Sequence, residues 1–195
     1  MRLIVGISGA SGVLISIRLL SKLRELNVET HLIITHGAEL TIRHETNFDL
    51  FAIRQLADRS YGVDDIDASI ASGSFPHDGM AVVPCSMKTV AGMAAGYADN
   101  LLLRAADICL KEHRKLVVVP REIPLSQIHL RNLKELADCG AVIVPPMLTF
   151  YNVPSTIDEQ IEHIVGKILM QFGLPALTPV WDPSKKMSVG IKDAD

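Results

Sequence analysis

The sequence predicts an α/β fold, a Rossmann-like three-layer sandwich in one domain with a parallel sheet at its centre. Three observations carry this. Apolar runs of four to six residues alternate with stretches of helical spacing along most of the chain, and that alternation implies right-handed crossovers and a parallel sheet covered on both faces. The runs end in strand punctuation: glycines after the first, prolines after the last three. The chain has 195 residues, 48% of them hydrophobic, which suits one domain of roughly 100–200 residues with a sizeable core.

The elements follow in order. Leu3 to Ile7 reads as a buried strand, and Val13 to Leu26 as a helix with Leu14, Ile17, Leu20 and Leu23 on one face. Thr30 to Thr35 is the second strand, followed by a helix around Ala38 to His44. Residues 47 to 79 are mixed. Met80 to Val83 is the third strand, stopped by Pro84, with helices over Ser86 to Ala95 and Asn100 to His113. Leu116 to Val119 is the fourth strand, stopped by Pro120, and Ser126 to Asp138 is helical. Ala141 to Val144 is the fifth strand, stopped by Pro145-Pro146. Thr156 to Phe172 is the last helix, ending at Gly173 as a C-terminal glycine should. The expected division is a domain over 1–181 and a polar tail over 182–195.

Composition narrows the function classes. Net charge is −3 with no long basic run, so nucleic acid is not an expected partner. Cys85, Cys109 and Cys139 form no C-x-x-C pair and are odd in number, which points away from zinc ribbons and disulfide frameworks and towards a reducing cytoplasm. No apolar stretch reaches the ~20 residues of a membrane span, and the short run at the start is too brief for a signal peptide. The seven histidines form no H-x-x-x-H pair, so no catalytic metal is expected.

Ligands of such sheets bind beyond the carboxyl ends of the strands, at a reversal of strand order. After strand one comes Gly6-Ile7-Ser8-Gly9-Ala10-Ser11-Gly12. Glycines there let backbone approach a phosphate, and a helix N-terminus follows. The spacing is not G-x-G-x-x-G, and no carboxylate follows strand two at Thr35-His36; a mononucleotide such as FMN is favoured over NAD. After strand three, Ser86 and Thr89 can cap a helix or contact a ligand. Cys85 reads as a small wall residue rather than a nucleophile. Arg104 and Lys111 lie nearly two turns apart on one helix face, with Asp107 between them able to pair with either. Arg121-Glu122, held between Pro120 and Pro124, is either a structural ion pair or part of a site. Tyr151 ends a rigid proline-led loop as core filler or ligand contact.

Together these segments resemble the UbiX-type flavin prenyltransferases, long labelled phenylacrylic or aromatic acid decarboxylases. The resemblance runs from about Leu3 to Gly173. It is carried by Gly9-Ala10-Ser11-Gly12, Glu45, Ser72-Gly73-Ser74, Met80, Pro84-Cys85-Ser86-Met87-Lys88-Thr89, Arg104-Ala105-Ala106-Asp107, Leu110-Lys111-Glu112, Pro120-Arg121-Glu122, Pro124-Leu125-Ser126, Ile128-His129-Leu130 and Phe150-Tyr151, in family order. It implies a homododecamer with FMN between subunits. It also implies transfer of a dimethylallyl group from dimethylallyl phosphate to N5 and C6 of reduced FMN without a metal, and release of prenylated FMN to a UbiD-type decarboxylase. By the same resemblance Gly9, Ala10, Ser11, Thr35, Ser86, Met87, Lys88, Thr89, Arg104 and Arg121 hold FMN. Lys111, Arg121, Tyr151 and Lys167 hold the donor phosphate, and Glu122 moves protons with Glu45 and Ser11 beside it.

The chain departs from the family at Ser8 and Thr35, which exchange Thr and Ser, and at Leu148-Thr149, in place of Pro-Ala. It departs also at Lys167, in place of Arg, and at Met170, in place of Asp. The competing readings are a flavin-dependent cysteine decarboxylase, whose P-A-S-A-N-T segment differs from Pro84 to Thr89, and a non-catalytic FMN-binding subunit of a decarboxylase complex.

Overall fold

The computed structural model describes residues 1–152 and 154–175; the expected tail over 182–195 lies outside them. Among the described residues six parallel strands form one sheet: β1 (Arg2–Ile7), β2 (Glu29–Ile34), β3 (Arg59–Tyr61), β4 (Gly79–Cys85), β5 (Lys115–Pro120) and β6 (Val142–Ile143), ordered β3-β2-β1-β4-β5-β6. The order reverses between β1 and β4, which opens a crevice at their carboxyl ends. Among the described residues seven helices cover the sheet: α1 (Val13–Glu25), α2 (His36–Glu45), α3 (Leu50–Arg54), α4 (Met87–Ala94), α5 (Leu101–Lys111), α6 (Gln127–Asp138) and α7 (Ile157–Gln171).

The three layers follow from the period of two along each strand. Leu3, Val5, Ile7, Leu32, Ile34, Val83 and Val117 point to one face and pack with Leu19, Leu20 and Leu23 of α1 and Ile164, Val165 and Ile168 of α7. Ile4, Ile33, Met80, Val82, Leu116 and Val118 point to the other and pack with Val90 of α4 and Leu102, Ala105 and Ala106 of α5. Hydroxyls and an amide at helix starts supply the caps: Thr35, Ser86, Asn100, Ser126 and Thr156 each accept an N–H from the first turn that follows.

Several expectations are corrected. Pro84 does not stop its strand: β4 runs to Cys85 through a cis Val83–Pro84 bond and an irregular register between Val82 and Cys85. Pro120 likewise belongs to β5. A proline is tolerated where the ladder is already broken or ending. The mixed stretch from 47 to 79 holds α3, the edge strand β3 and a 3-10 turn over Ser69–Ala71. The fifth expected strand shrinks to two residues, Val142–Ile143. Leu14 leaves the buried stripe of α1 and is 39% exposed, because a strict three-residue step drifts off a 3.6-residue period.

Candidate functional site

At the carboxyl ends of β1, β2 and β4 lies a cleft of about 660 Å³, lined by Gly9, Thr35, His36, Ser86, Lys88 and Thr89 on its polar side and by Ala91, Gly92 and Leu103 on its apolar side. Its floor is tied together by Ser8. The Ser8 hydroxyl donates to the Pro84 carbonyl at 3.1 Å and accepts the Ser86 N–H at 2.7 Å, which fixes the end of β1 against the end of β4. Gly9 meets Gly37 across the cleft's edge: a Cβ on Gly9 would stand 2.9 Å from the Gly37 carbonyl carbon. Only the absence of that atom lets the loop after β1 close on the start of α2.

Two helix N-termini aim at this cleft. Thr35 Oγ1 accepts the Ala38 N–H at 3.2 Å, and Ser86 Oγ accepts the Thr89 N–H at 3.3 Å and lies 3.1 Å from Thr89 Oγ1. A third N-terminus, that of α1, is already taken. Glu45 Oε2 accepts the N–H groups of Gly12 and Val13 at 2.9 and 3.2 Å. At the starts of α2 and α4 the cleft instead gathers Thr35, Ser86, Lys88 and Thr89, a set that can receive an anion. The bonds to Gly12 and Val13 bring Glu45, distant in sequence, to the Ser11–Gly12 end of α1, as a carboxylate on a positive helix end. Ala10 and Met87 are buried at 9% exposure each. No carboxylate stands at Thr35-His36, directly after β2, yet one reaches the cleft from afar: Asp64 Oδ2 lies 3.1 Å from His36 Nε2.

The remaining predicted residues lie in three other places on the chain. Arg104 and Lys111 share a face of α5, as expected, against the Ser72-Gly73-Ser74 turn. Arg104 bonds Asp107 at 2.8 Å and the Ala71 carbonyl at 3.2 Å, and Lys111 pairs with Glu112, so Asp107 serves Arg104. The ammonium of Lys111 holds the Glu112 carboxyl below its ordinary pKa. Arg121 and Glu122 are exposed beside a groove of about 460 Å³ that includes Ile123, Leu133, Pro145 and Met147. They form no ion pair with each other among the described residues; Glu122 Oε1 instead accepts the Ile123 N–H at 3.1 Å. Tyr151 Oη lies 3.2 Å from His163 Nε2 on α7, with the rings 5.6 Å apart and edge-on, and Lys167 is exposed one turn further along.

Cys85 is no wall residue. It is fully buried in the core beneath α4, and burial drives its thiol pKa upward, so it remains a thiol. Sequence reasoning passed over Ser8 as a tether, Gly37, His36, Asp64 and His163. The paired approach of Gly9 and Gly37 had a signal, a glycine after each of the first two strands. His163 had none, since a histidine within an apolar helical stripe resembles core. Hydroxyls, a lysine and two helix starts around a cleft of this size can hold a phosphate-bearing ligand, with its flat apolar part against the apolar wall.

The flavoprotein family model matches residues 1–173. The chain is 59% identical over 175 residues, 89% of this chain and 93% of the other, to a Sedimentibacter hydroxybenzoicus protein named a probable UbiX-like flavin prenyltransferase. Among solved structures, a dodecameric FMN-dependent UbiX-like decarboxylase from Escherichia coli O157:H7 is 52% identical with a TM-score of 0.92, over 93% of this chain and 100% of that one. AnUbiX (PadA1), solved with FMN and dimethylallyl pyrophosphate, is 45% identical with a TM-score of 0.93, over 94% of this chain and 98% of that one. A crevice at the strand-order reversal and a likeness that spans almost every described residue lead to one assignment: the chain belongs to the flavoprotein family, among its UbiX-like flavin prenyltransferases.

Proposed function

We propose that this protein transfers a dimethylallyl group from dimethylallyl phosphate to N5 and C6 of reduced FMN, and that the prenylated FMN passes to a UbiD-type decarboxylase. The observation that carries the reading is the cleft at the β1/β4 reversal, where Gly9 and Gly37 close to a separation that no side chain would permit. That backbone approach, with Ser86 and Thr89 beside it, suits a phosphate ester and an adjoining flat ring.

Reduced FMN, when bound, supplies the nucleophilic atoms and an electron-rich ring face against which an allylic cation is stabilised. The residues of the chain do the rest. Gly9, Ala10, Ser11 and Thr35 form one wall of the flavin site; Ser86, Met87, Lys88 and Thr89 form the facing helix start, with Arg104 and Arg121 completing it. Lys111, Arg121, Tyr151 and Lys167 hold the donor phosphate and stabilise its growing charge as the carbon–oxygen bond breaks. Glu122 accepts the proton that C6 loses when the new ring closes, with Glu45 and Ser11 at the neighbouring helix start.

On one chain these groups fall in four separate places, and we infer that a homododecamer assembles them between subunits. Supporting this are the dodecameric E. coli relative and the large apolar side chains left at the surface near the separated pieces, among them Ile123 at 80%, Phe150 at 71% and Ile157 at 78% exposure. We place the protein in the cytoplasm. Among the described residues no helix is long and apolar enough to cross a membrane, and Cys85, Cys109 and Cys139 are free. We also take residues 1–181 as one flavoprotein domain, of which the family match covers 1–173.

The test is to incubate the protein with reduced FMN and dimethylallyl phosphate under anaerobic conditions and to weigh the released flavin. A mass gain of one prenyl group is expected. Bound FMN with no mass gain would return the protein to a non-catalytic flavin-binding subunit, and oxidative decarboxylation of a cysteine peptide would identify the decarboxylase alternative.

A further inference from the structure

His163 has no assigned role, and its surroundings are unusual for a core residue. It is 3% exposed on the inner face of α7. Its Nε2 lies 3.2 Å from Tyr151 Oη, while its Nδ1 is buried with no hydrogen-bond partner among the described residues. A neutral imidazole carries one N–H and one bare nitrogen, and the hydrogen-bond pattern decides which is which. A buried N–H without an acceptor is among the rarest features of folded proteins, whereas an acceptor lacking a donor is better tolerated. The bare nitrogen therefore belongs at Nδ1 and the proton at Nε2, where it meets the phenol oxygen.

This tautomer sets the direction of the contact: His163 donates and Tyr151 accepts. The imidazole N–H thereby fixes where the phenol oxygen stands. Lys167 lies one helical turn beyond His163, so the imidazole, the phenol and the ammonium line one side of α7 and the loop before it. Burial first, and the charge of Lys167 second, hold the imidazole pKa below its ordinary value, which keeps His163 in the neutral form that the geometry requires.

We propose that His163 is a positioning residue of the donor site: its Nε2–H holds the Tyr151 hydroxyl in place towards the phosphate of the prenyl donor. The proposal rests on the prenyltransferase reading and adds to it a residue that touches neither flavin nor donor.

The experiment compares wild type with His163→Leu, His163→Gln, Tyr151→Phe and the Leu–Phe double variant, all FMN-loaded and at one protein concentration. Donor KM, kcat and FMN Kd are measured for each. His163→Leu is expected to raise donor KM about fivefold or more with FMN Kd within twofold. His163→Gln restores a side-chain N–H donor and is expected to recover most of the loss. The double variant is expected to match Tyr151→Phe alone, since His163 acts through that hydroxyl. Histidine 15N resonances of the intact protein in the solid state give a readout without turnover: a protonated Nε2 and a bare Nδ1 at His163. Unchanged donor KM in His163→Leu, or additive losses in the double variant, would overturn the proposal while leaving the prenyltransferase reading standing, as would a proton on Nδ1. Wild type that makes no prenylated flavin would instead remove that reading and this proposal with it.

Discussion

Gly9→Ala is the sharpest test of how the cleft is built. The added Cβ would lie 2.9 Å from the carbonyl carbon of Gly37, 3.0 Å from its Cα and 3.2 Å from its oxygen. Ordinary carbon contacts begin at about 3.5 Å, so the loop after β1 and the start of α2 must part by roughly half an ångström. Both partners are backbone, and neither can turn aside as a flexible side chain would. Gly9 has no left-handed φ, so the cost is steric alone. Overpacking of this kind costs about 1–3 kcal/mol, equivalent to a fall in Tm of roughly 2–4 °C per kcal/mol for a chain of this size. The same displacement widens the polar edge of the cleft, and an FMN affinity at least about tenfold weaker is expected, which is about 1.4 kcal/mol. Gly37→Ala is the matched control. A Cβ there would lie 3.4 Å from the Gly9 Cα, a contact that needs almost no movement, and alanine favours the first turn of α2 by up to about 1 kcal/mol over glycine. Thermal unfolding and FMN fluorescence titration of the two variants at one protein concentration decide the matter. Equal Tm and equal FMN Kd for Gly9→Ala and Gly37→Ala would show that the close approach does not shape the flavin site.

Three further outcomes are expected. Glu122→Gln keeps the shape of the side chain and loses its basicity, so FMN Kd should stay within about twofold while the rate of prenylated-flavin formation falls by roughly 10²-fold or more; unchanged turnover would return Glu122 to a structural role. Lys167→Ala should raise donor KM by about tenfold and Lys167→Arg should lower it, because a planar fork binds two phosphate oxygens where an ammonium offers a point charge; equal KM in all three proteins would place Lys167 in solvent alone. His77 is buried with Nδ1 3.2 Å from the Gly79 carbonyl, and burial, then the charge of Arg114, hold its pKa below the ordinary value. Below about pH 6.5 the unfolded chain then takes a proton that the folded one refuses, so stability is full above that pH and declines beneath it. Urea midpoints at about pH 7.5 and 5.5 should differ in wild type and differ less in His77→Asn; the same difference in both would exclude His77 as a source.

Much of the cleft was legible because its chemistry is local. Ser86 and Thr89 stand three residues apart after an apolar run, and a hydroxyl at that place caps whichever helix follows. Gly9 after β1 likewise marks a close approach before its partner is known. Helix positions were legible for the same reason: caps at Asn100, Ser126 and Thr156 lie within a residue of the expected starts. The three edge residues of β3 were not, since Arg59-Ser60-Tyr61 has no apolar alternation and becomes a strand only because β2 offers it a ladder.

By itself, then, the sequence determined the α/β class, the crossing pattern, the glycine and hydroxyl chemistry at the strand ends, and the family motifs. These rest on interactions within a turn or two of chain, where spacing is distance. Tertiary structure alone decided that Pro84 sits inside a strand, that the fully buried Cys85 is core, and that Arg104 rather than Lys111 holds Asp107. It decided also that Glu45, 33 residues away, occupies the N-terminus of α1, and that His163 meets Tyr151 across 12 residues. Such pairs are chosen by which surfaces the sheet brings together, a property of the whole packing that no window of sequence contains.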